Sequence, residues 1–90
     1  MEAQEWSPQE IARRGTQVYE RDLRAMLETE ENIGNIVVID VESGGYEMDA
    51  DQIAASRRVR TRFPNGHRYA IRVGYPAVGA IGGSLRRTGG

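Results

Sequence analysis

The 90-residue sequence contains no cysteine and no lysine, and it has a single histidine and a single tryptophan. Without cysteine, neither a disulfide nor a thiolate metal site can form, and one histidine cannot build a histidine-rich metal centre. No apolar run approaches the roughly 20 residues of a membrane-spanning helix, and the polar start MEAQEWSPQE is unlike a signal peptide. We therefore expect a cytoplasmic protein with one domain over residues 1–83 and a flexible tail over residues 84–90.

Acidic and basic charges are separated along the chain, and all 12 basic side chains are arginines. The 13 Asp and Glu residues lie in residues 1–51, where four arginines leave a net charge of −9, whereas residues 52–90 carry eight arginines and no acid. Two explanations are open. Either the two halves fold against each other and pair internally, or the arginine-rich half faces an anionic partner. Guanidinium groups bind both carboxylates and phosphates, so the presence of arginine does not decide between these two explanations.

The segment IVVIDVESGGYEMDAD, residues 36–51, predicts a central strand and a hairpin. Its β-branched start is typical of a strand, and alternation places Val37, Ile39 and Val41 on one buried face, while the other face becomes acidic. The pair Gly44-Gly45 predicts a two-residue type I′ turn, since both central residues of that turn need a positive φ. This turn would place Val41 opposite Met48.

Two helices are predicted around this hairpin. The first begins at a capping box formed by Ser7 and Glu10 and runs from Pro8 to about Glu28. At 100° per residue, its apolar side carries Ile11, Gly15, Val18, Tyr19, Ala25 and Met26. Asp22 projects from the same side and would need a partner if it were buried. The second helix is expected to begin at an Asp49 cap, with Met48 stapled to Ile53, and to run to about Arg62.

A third strand is predicted over residues 68–73, where apolar residues alternate with arginine. A right-handed crossover through the second helix would place it parallel to the first strand and beside it, so that Arg68 and Arg72 neutralise Asp40 and Glu42. Residues 77–81 could add a short last strand. The predicted fold is therefore α+β, a single small domain of order αββαβ(β) with two helices and a mixed three- to four-stranded sheet.

Candidate chemistry is sparse in this sequence. No nucleophile, base and acid occur in a recognisable arrangement, and His67 follows a Pro-Asn-Gly turn, so we expect no enzymatic activity. Five carboxylates cluster in the central segment without the spacing of a calcium loop: Asp40, Glu42, Glu47, Asp49 and Asp51. The glycines after residue 73 do not follow phosphate-loop spacing. No metal and no cofactor is therefore expected.

Three segments, EIARRGTQVYE, IVVIDVESGGYEMDAD and RVGYPAVGAIGG, occur in an order that resembles a family of small uncharacterised bacterial proteins. Motifs similar to VIDVESGGYEMD and RVGYP recur in that family, and the resemblance covers nearly all of residues 8–83. Its members are often encoded beside a retropepsin-like aspartic protease-type protein, in an arrangement similar to toxin–antitoxin pairs. The resemblance implies a partner-binding role and brings no catalytic residues.

The expected function is noncatalytic protein–protein recognition, with an antitoxin-like role toward a neighbouring gene product or a homo-oligomer as the partner. The predicted partner-binding residues are Gly15, Val18, Asp22, Met26, Arg72, Tyr75, Arg86 and Arg87. One alternative is nucleic-acid binding through Arg57, Arg58, Arg62, Arg86 and Arg87, although no recognised motif accompanies them. A second alternative is a ubiquitin-like modifier, because the sequence ends in Gly-Gly.

Overall fold

Three antiparallel strands form the sheet of the computed structural model, which describes residues 6–75 and 79–80. Strand β1 (Ile36–Asp40) lies between β2 (Tyr46–Asp49) and β3 (Arg68–Arg72). Together with two helical regions, these strands confirm the predicted α+β class.

Beyond β3, the described residues Gly79–Ala80 pair with the outer edge of that strand. Most of the short last strand predicted over residues 77–81 lies outside the described residues. The tail predicted over residues 84–90 also lies outside them.

Both faces of the sheet are covered, because the side chains of β1 alternate between two apolar clusters. Val37 and Ile39 pack in one cluster with the N-terminal helix, whereas Ile36 and Val38 pack in the other with the second helix. All five residues of β1 are buried. The predicted alternation is confirmed, since Val37, Ile39 and Val41 share one buried face, but the expectation that only this face is core was wrong. An unbroken β-branched run is typical of a strand that is buried on both sides.

The N-terminal helix begins at the predicted capping box, where the Ser7 hydroxyl accepts a hydrogen bond from the Glu10 N–H and Glu10 accepts one from the Ser7 N–H. It comprises α1 (Pro8–Val18), a π-helical segment (Tyr19–Leu23) and α2 (Arg24–Leu27). In the π-helical segment the N–H of Arg24 bonds to the carbonyl of Tyr19, five residues back.

The π-helical segment rotates the end of this helix relative to the predicted face. The wider π-helical turn takes in one extra residue and so shifts the face that follows it. As a result Leu23 and Leu27 are buried, whereas Ala25 and Met26 are exposed. Asp22, which we expected on the apolar side, is also exposed, and its carboxylate forms an ion pair with Arg21 at 3.1 Å. Since Asp22 is not buried, the partner that a buried carboxylate would need is not required.

The hairpin between β1 and β2 has a five-residue loop, and the predicted register is wrong by four residues. Val37, rather than Val41, lies opposite Met48. Of the two turn glycines, Gly44 has a positive φ and Gly45 does not, so a type I′ turn cannot form. Instead the Asp40 carboxylate accepts a hydrogen bond from the Ser43 N–H at 2.9 Å, which stabilises the wider loop.

The sheet is antiparallel, so the predicted mixed sheet with β3 parallel to β1 was wrong. Strand β3 does lie beside β1, with Ile39 opposite Tyr69. The second helix, α3 (Gln52–Arg62), leaves from β2 and not from β1. The crossover therefore joins β2 and β3, which run parallel to each other on either side of the central strand.

The cap of α3 differs from the predicted one. Asp51 is the N-cap and accepts a hydrogen bond from the Ile53 N–H at 3.0 Å, whereas Asp49 accepts one from the Asp51 N–H. The side chain of Ile53 is 65% exposed, so the predicted staple with Met48 is absent. Met48 instead packs against the first apolar cluster.

Arginines of α3 neutralise the acids of β2. Arg58 contacts Glu47 at 3.1 Å and Asp49 at 3.0 Å, and Arg62 contacts Glu47 at 2.8 Å. The same two guanidinium groups donate hydrogen bonds to main-chain carbonyls of β2, Arg58 to that of Met48 and Arg62 to that of Tyr46. Part of the charge separation along the chain is therefore paired internally.

The predicted pairing of Arg68 and Arg72 with Asp40 and Glu42 was wrong. Arg68 lies opposite Asp40 in the strand register, but within residues 6–75 no ion pair joins these four residues. The guanidinium group of Arg72 donates a hydrogen bond to the Gly34 carbonyl instead.

The β2 carboxylates give the chain a defined response to acid. The hydrogen bond from Arg62 lowers the pKa of Glu47. The pKa of Asp49 is lowered mainly by the hydrogen bond from the Asp51 N–H and, to a smaller extent, by the hydrogen bond from Arg58. Because both pKa values are lower in the folded chain than in the unfolded chain, this stabilisation is present above the ordinary carboxyl pKa values and is lost as pH falls through the folded ones. We expect the urea midpoint of unfolding to fall on acidification, and to fall less steeply in Glu47→Gln.

The control for this measurement is Glu31→Gln, since Glu31 is exposed and makes no ion pair within the described residues. It should show the same acid dependence as the parent chain. An unchanged acid dependence in Glu47→Gln would show that the β2 cluster does not contribute.

Candidate functional site

A groove of about 400 Å³ lies between the C-terminal half of the N-terminal helix and the end of β3. We call it the Tyr75 groove. Its lining residues are Thr16, Tyr19, Glu20, Arg24, Glu28, Ile71, Gly74 and Tyr75. The helical side of the groove contains the start of the π-helical segment, and such segments are frequent at functional sites.

The polar side chains on the helical side are bonded to one another. The Tyr19 hydroxyl donates to Glu28 at 2.9 Å, and Arg24 bridges Glu28 at 3.2 Å and Glu20 at 2.8 Å. The pKa of Tyr19 is raised well above its ordinary value, mainly by burial and secondly by the hydrogen bond to Glu28. The Tyr19 hydroxyl, Glu28, Arg24 and Glu20 are therefore linked in one hydrogen-bonded chain along this wall.

The strand side of the groove carries exposed apolar surface. Tyr75 is 56% exposed and lies beneath the Arg72 guanidinium, 5.8 Å from its ring centroid. Ile33 is 48% exposed and contacts Gly74, where an added Cβ would fall 2.6 Å from the Ile33 Cδ1. Gly74 also has a φ of +82°, so glycine is favoured there on two grounds. Tyr75 and Gly74 line the groove, whereas Arg72 and Ile33 lie just outside its lining, Arg72 against Tyr75 and Ile33 against Gly74. We call Tyr75, Arg72 and Ile33 the rim of the groove.

The predicted partner-binding residues fall into four pairs. Gly15 and Val18 are buried inside the chain against its own sheet, whereas Asp22 and Met26 are exposed on the helix. Arg72 and Tyr75 lie together at the rim of the groove. Arg86 and Arg87 lie outside the described residues.

Sequence reasoning missed the lining of the Tyr75 groove. Thr16, Tyr19 and Ile71 come from separate elements and meet only because α1 packs across β3. Thr16 donates a hydrogen bond to the Tyr69 hydroxyl at 3.3 Å, which fixes the helix on the strand. The available signal was the position of Tyr75 directly after a strand and a glycine.

Sequence reasoning also missed a polar cluster at the opposite end of the sheet. Four buried polar atoms have no hydrogen-bond partner within the described residues, and all four lie at this end: Trp6 Nε1, Asp40 Oδ1, His67 Nδ1 and Arg68 Nε. The rings of Trp6 and His67 are 5.7 Å apart, and His67 Nδ1 is 3.5 Å from a carboxylate oxygen of Glu42. Native proteins contain few such atoms, so their concentration at one end of the sheet is unusual.

The described residues contain neither a metal-binding cluster nor a membrane-spanning helix. There, no group of three or more His, Asp or Glu side chains is arranged to hold a metal ion. Likewise, no helix in this part of the chain has the length and apolar character needed to cross a membrane.

No protein-family model, curated protein or solved structure matches the chain. The Tyr75 groove, of about 400 Å³, is lined by the exposed side chain of Tyr75 together with Arg24, Glu20 and Glu28.

Proposed function

We propose that this chain is a noncatalytic protein-interaction module that binds another protein through the Tyr75 groove. The observation that carries the proposal is the exposure of Tyr75 beside Arg72 and Ile33 at the rim. Tyrosine and arginine supply a large share of the binding energy at protein interfaces. A tyrosine at the edge of a preformed groove offers apolar area at a low cost in conformational entropy.

The helical wall of the groove supports binding rather than catalysis. The side chains of Tyr19, Glu28 and Arg24 bond to one another and hold each other in place. A wall of this kind is preorganised, so little order has to be gained when a partner binds.

The proposed partner is the retropepsin-like protein that the family resemblance implies, and the proposed role is antitoxin-like. A second copy of the chain is the other candidate partner. Nucleic-acid binding has weaker support, since Arg58 and Arg62 are engaged by the acids of β2. A ubiquitin-like role depends on the terminal Gly-Gly, which lies outside the described residues.

Replacing Tyr75 tests the groove directly. We expect Tyr75→Ala to weaken binding of the co-expressed retropepsin-like neighbour by at least about tenfold, because it removes the most exposed aromatic side chain of the rim. Isothermal titration calorimetry gives the affinity, and sedimentation velocity on the chain alone reports self-association. The melting temperature should change little, since the side chain is exposed.

The matched control is Ile53→Ala on α3, where an apolar side chain is 65% exposed and lies outside the groove. This variant should bind as the parent does. Equal weakening in both variants, or a monomeric chain that binds no neighbour, would contradict the proposal.

A further inference from the structure

A second, smaller groove of about 160 Å³ lies beside the start of the N-terminal helix. We call it the Trp6 groove. Its lining residues are Trp6, Glu10, Arg13, Arg14 and Gln17. It shares none of these with the Tyr75 groove, so the two surfaces can be tested separately.

Hydrogen-bond donors dominate the Trp6 groove. Arg13 and Arg14 are exposed, and neither takes part in an ion pair within residues 6–75. The Trp6 indole N–H is buried and has no acceptor among the described residues. The Glu10 carboxylate lines the groove but accepts the Ser7 N–H in the capping box. Both guanidinium groups are exposed to solvent and can exchange water for a carboxylate, whose planar shape matches the guanidinium fork.

Neighbouring charges favour isolated carboxylates over a nucleic acid. Glu10 lies in the groove itself, and Glu42 lies 3.5 Å from His67, whose ring is close to that of Trp6. A continuous phosphate backbone would pass near both acids and be repelled. One or two carboxylates fit the small groove and avoid them.

We infer that the Trp6 groove binds an acidic segment of a partner protein, with carboxylates held by Arg13 and Arg14. The inference rests on the proposed role in protein recognition but concerns a different surface. It gives the partner a chemical character: one of its contact segments is rich in Asp or Glu. The indole ring, packed against the first apolar cluster, supplies a rigid apolar floor for that segment.

Nuclear magnetic resonance titration of the isotope-labelled full chain tests the inference. The probe is a short Asp-Glu peptide with blocked termini, compared with the matching Asn-Gln peptide and with inorganic phosphate. We expect the acidic peptide to shift the Trp6 indole N–H and the side-chain signals of Arg13 and Arg14. Its affinity should fall at least about tenfold in Arg13→Gln with Arg14→Gln, since both charge-assisted contacts are then lost.

The matched control is Arg57→Gln with Arg60→Gln, which removes the same charge from exposed positions on α3. Binding that survives in this control and is lost in the Arg13/Arg14 variant supports the site. Equal loss in both variants, equal binding of the neutral peptide, binding of phosphate as tight as that of the peptide, or no shift would overturn it. The Tyr75→Ala measurement uses the other groove, so failure of one proposal is distinguished from failure of the other.

Discussion

Gly15→Ala is expected to destabilise the chain by about 2–4 kcal/mol, although alanine is the better helix former by about 1 kcal/mol. Gly15 is buried in α1, where the helix passes over β3. An added Cβ would lie 2.5 Å from Cγ and 2.6 Å from Cβ of Tyr69. The Tyr69 ring is itself buried and cannot swing aside, so the helix would have to lift from the sheet.

Urea unfolding of this variant measures the loss, and Gln17→Ala on the exposed side of the same helix is the control. The control should stay within about 0.5 kcal/mol of the parent. A Gly15→Ala variant as stable as the parent would mean that α1 does not approach β3 so closely. The Thr16 hydrogen bond to Tyr69 should be lost along with the close approach.

Ala55→Asp is expected to unfold the chain at neutral pH. Ala55 lies on α3 with no exposed surface, against Val38 and Ala70 of the sheet. A carboxylate there would be desolvated without a partner, at a cost of several kcal/mol in a domain whose whole stability is about 5–15 kcal/mol. Circular dichroism at neutral pH would show the loss of folded structure.

Ala25→Asp makes the same exchange on the N-terminal helix and is the control. A regular α-helix would bury Ala25, but the π-helical segment leaves it exposed. We expect this variant to stay folded, with a change of about 1 kcal/mol or less. If Ala25→Asp unfolded the chain and Ala55→Asp did not, both the π-helical segment and the two-sided sheet would be wrong.

Local signals in the sequence were sufficient to locate the elements. The Ser7 capping box, the β-branched run of β1 and the Pro-Asn-Gly turn after α3 act over a few residues, and each element begins or ends close to the predicted position. The predicted sheet register failed because Asp40 bonds to the Ser43 N–H and widens the turn. The spacing of glycines alone does not reveal that a side chain will compete with the main chain for hydrogen bonds.

The π-helical segment could not be predicted because its stabilising contacts come from other parts of the chain. Tyr19 bonds to Glu28 beyond the helix, and Leu23 and Leu27 pack against the sheet. For the same reason only the rim of the Tyr75 groove, Arg72 and Tyr75, was visible in the sequence. The opposite wall exists only after the helix has packed across β3.

The arginines of α3 have a consequence for the solubility of the chain. Among the described residues, strand β2 pairs with β1 alone, and in its register the main-chain groups of Tyr46 and Met48 point away from that neighbour. An open strand edge is a template on which strands of other molecules can add, and this is a common route to aggregation. The carbonyls of Tyr46 and Met48 are already occupied by Arg62 and Arg58, so an incoming strand would find half of its hydrogen-bond partners taken and two positive charges in its path.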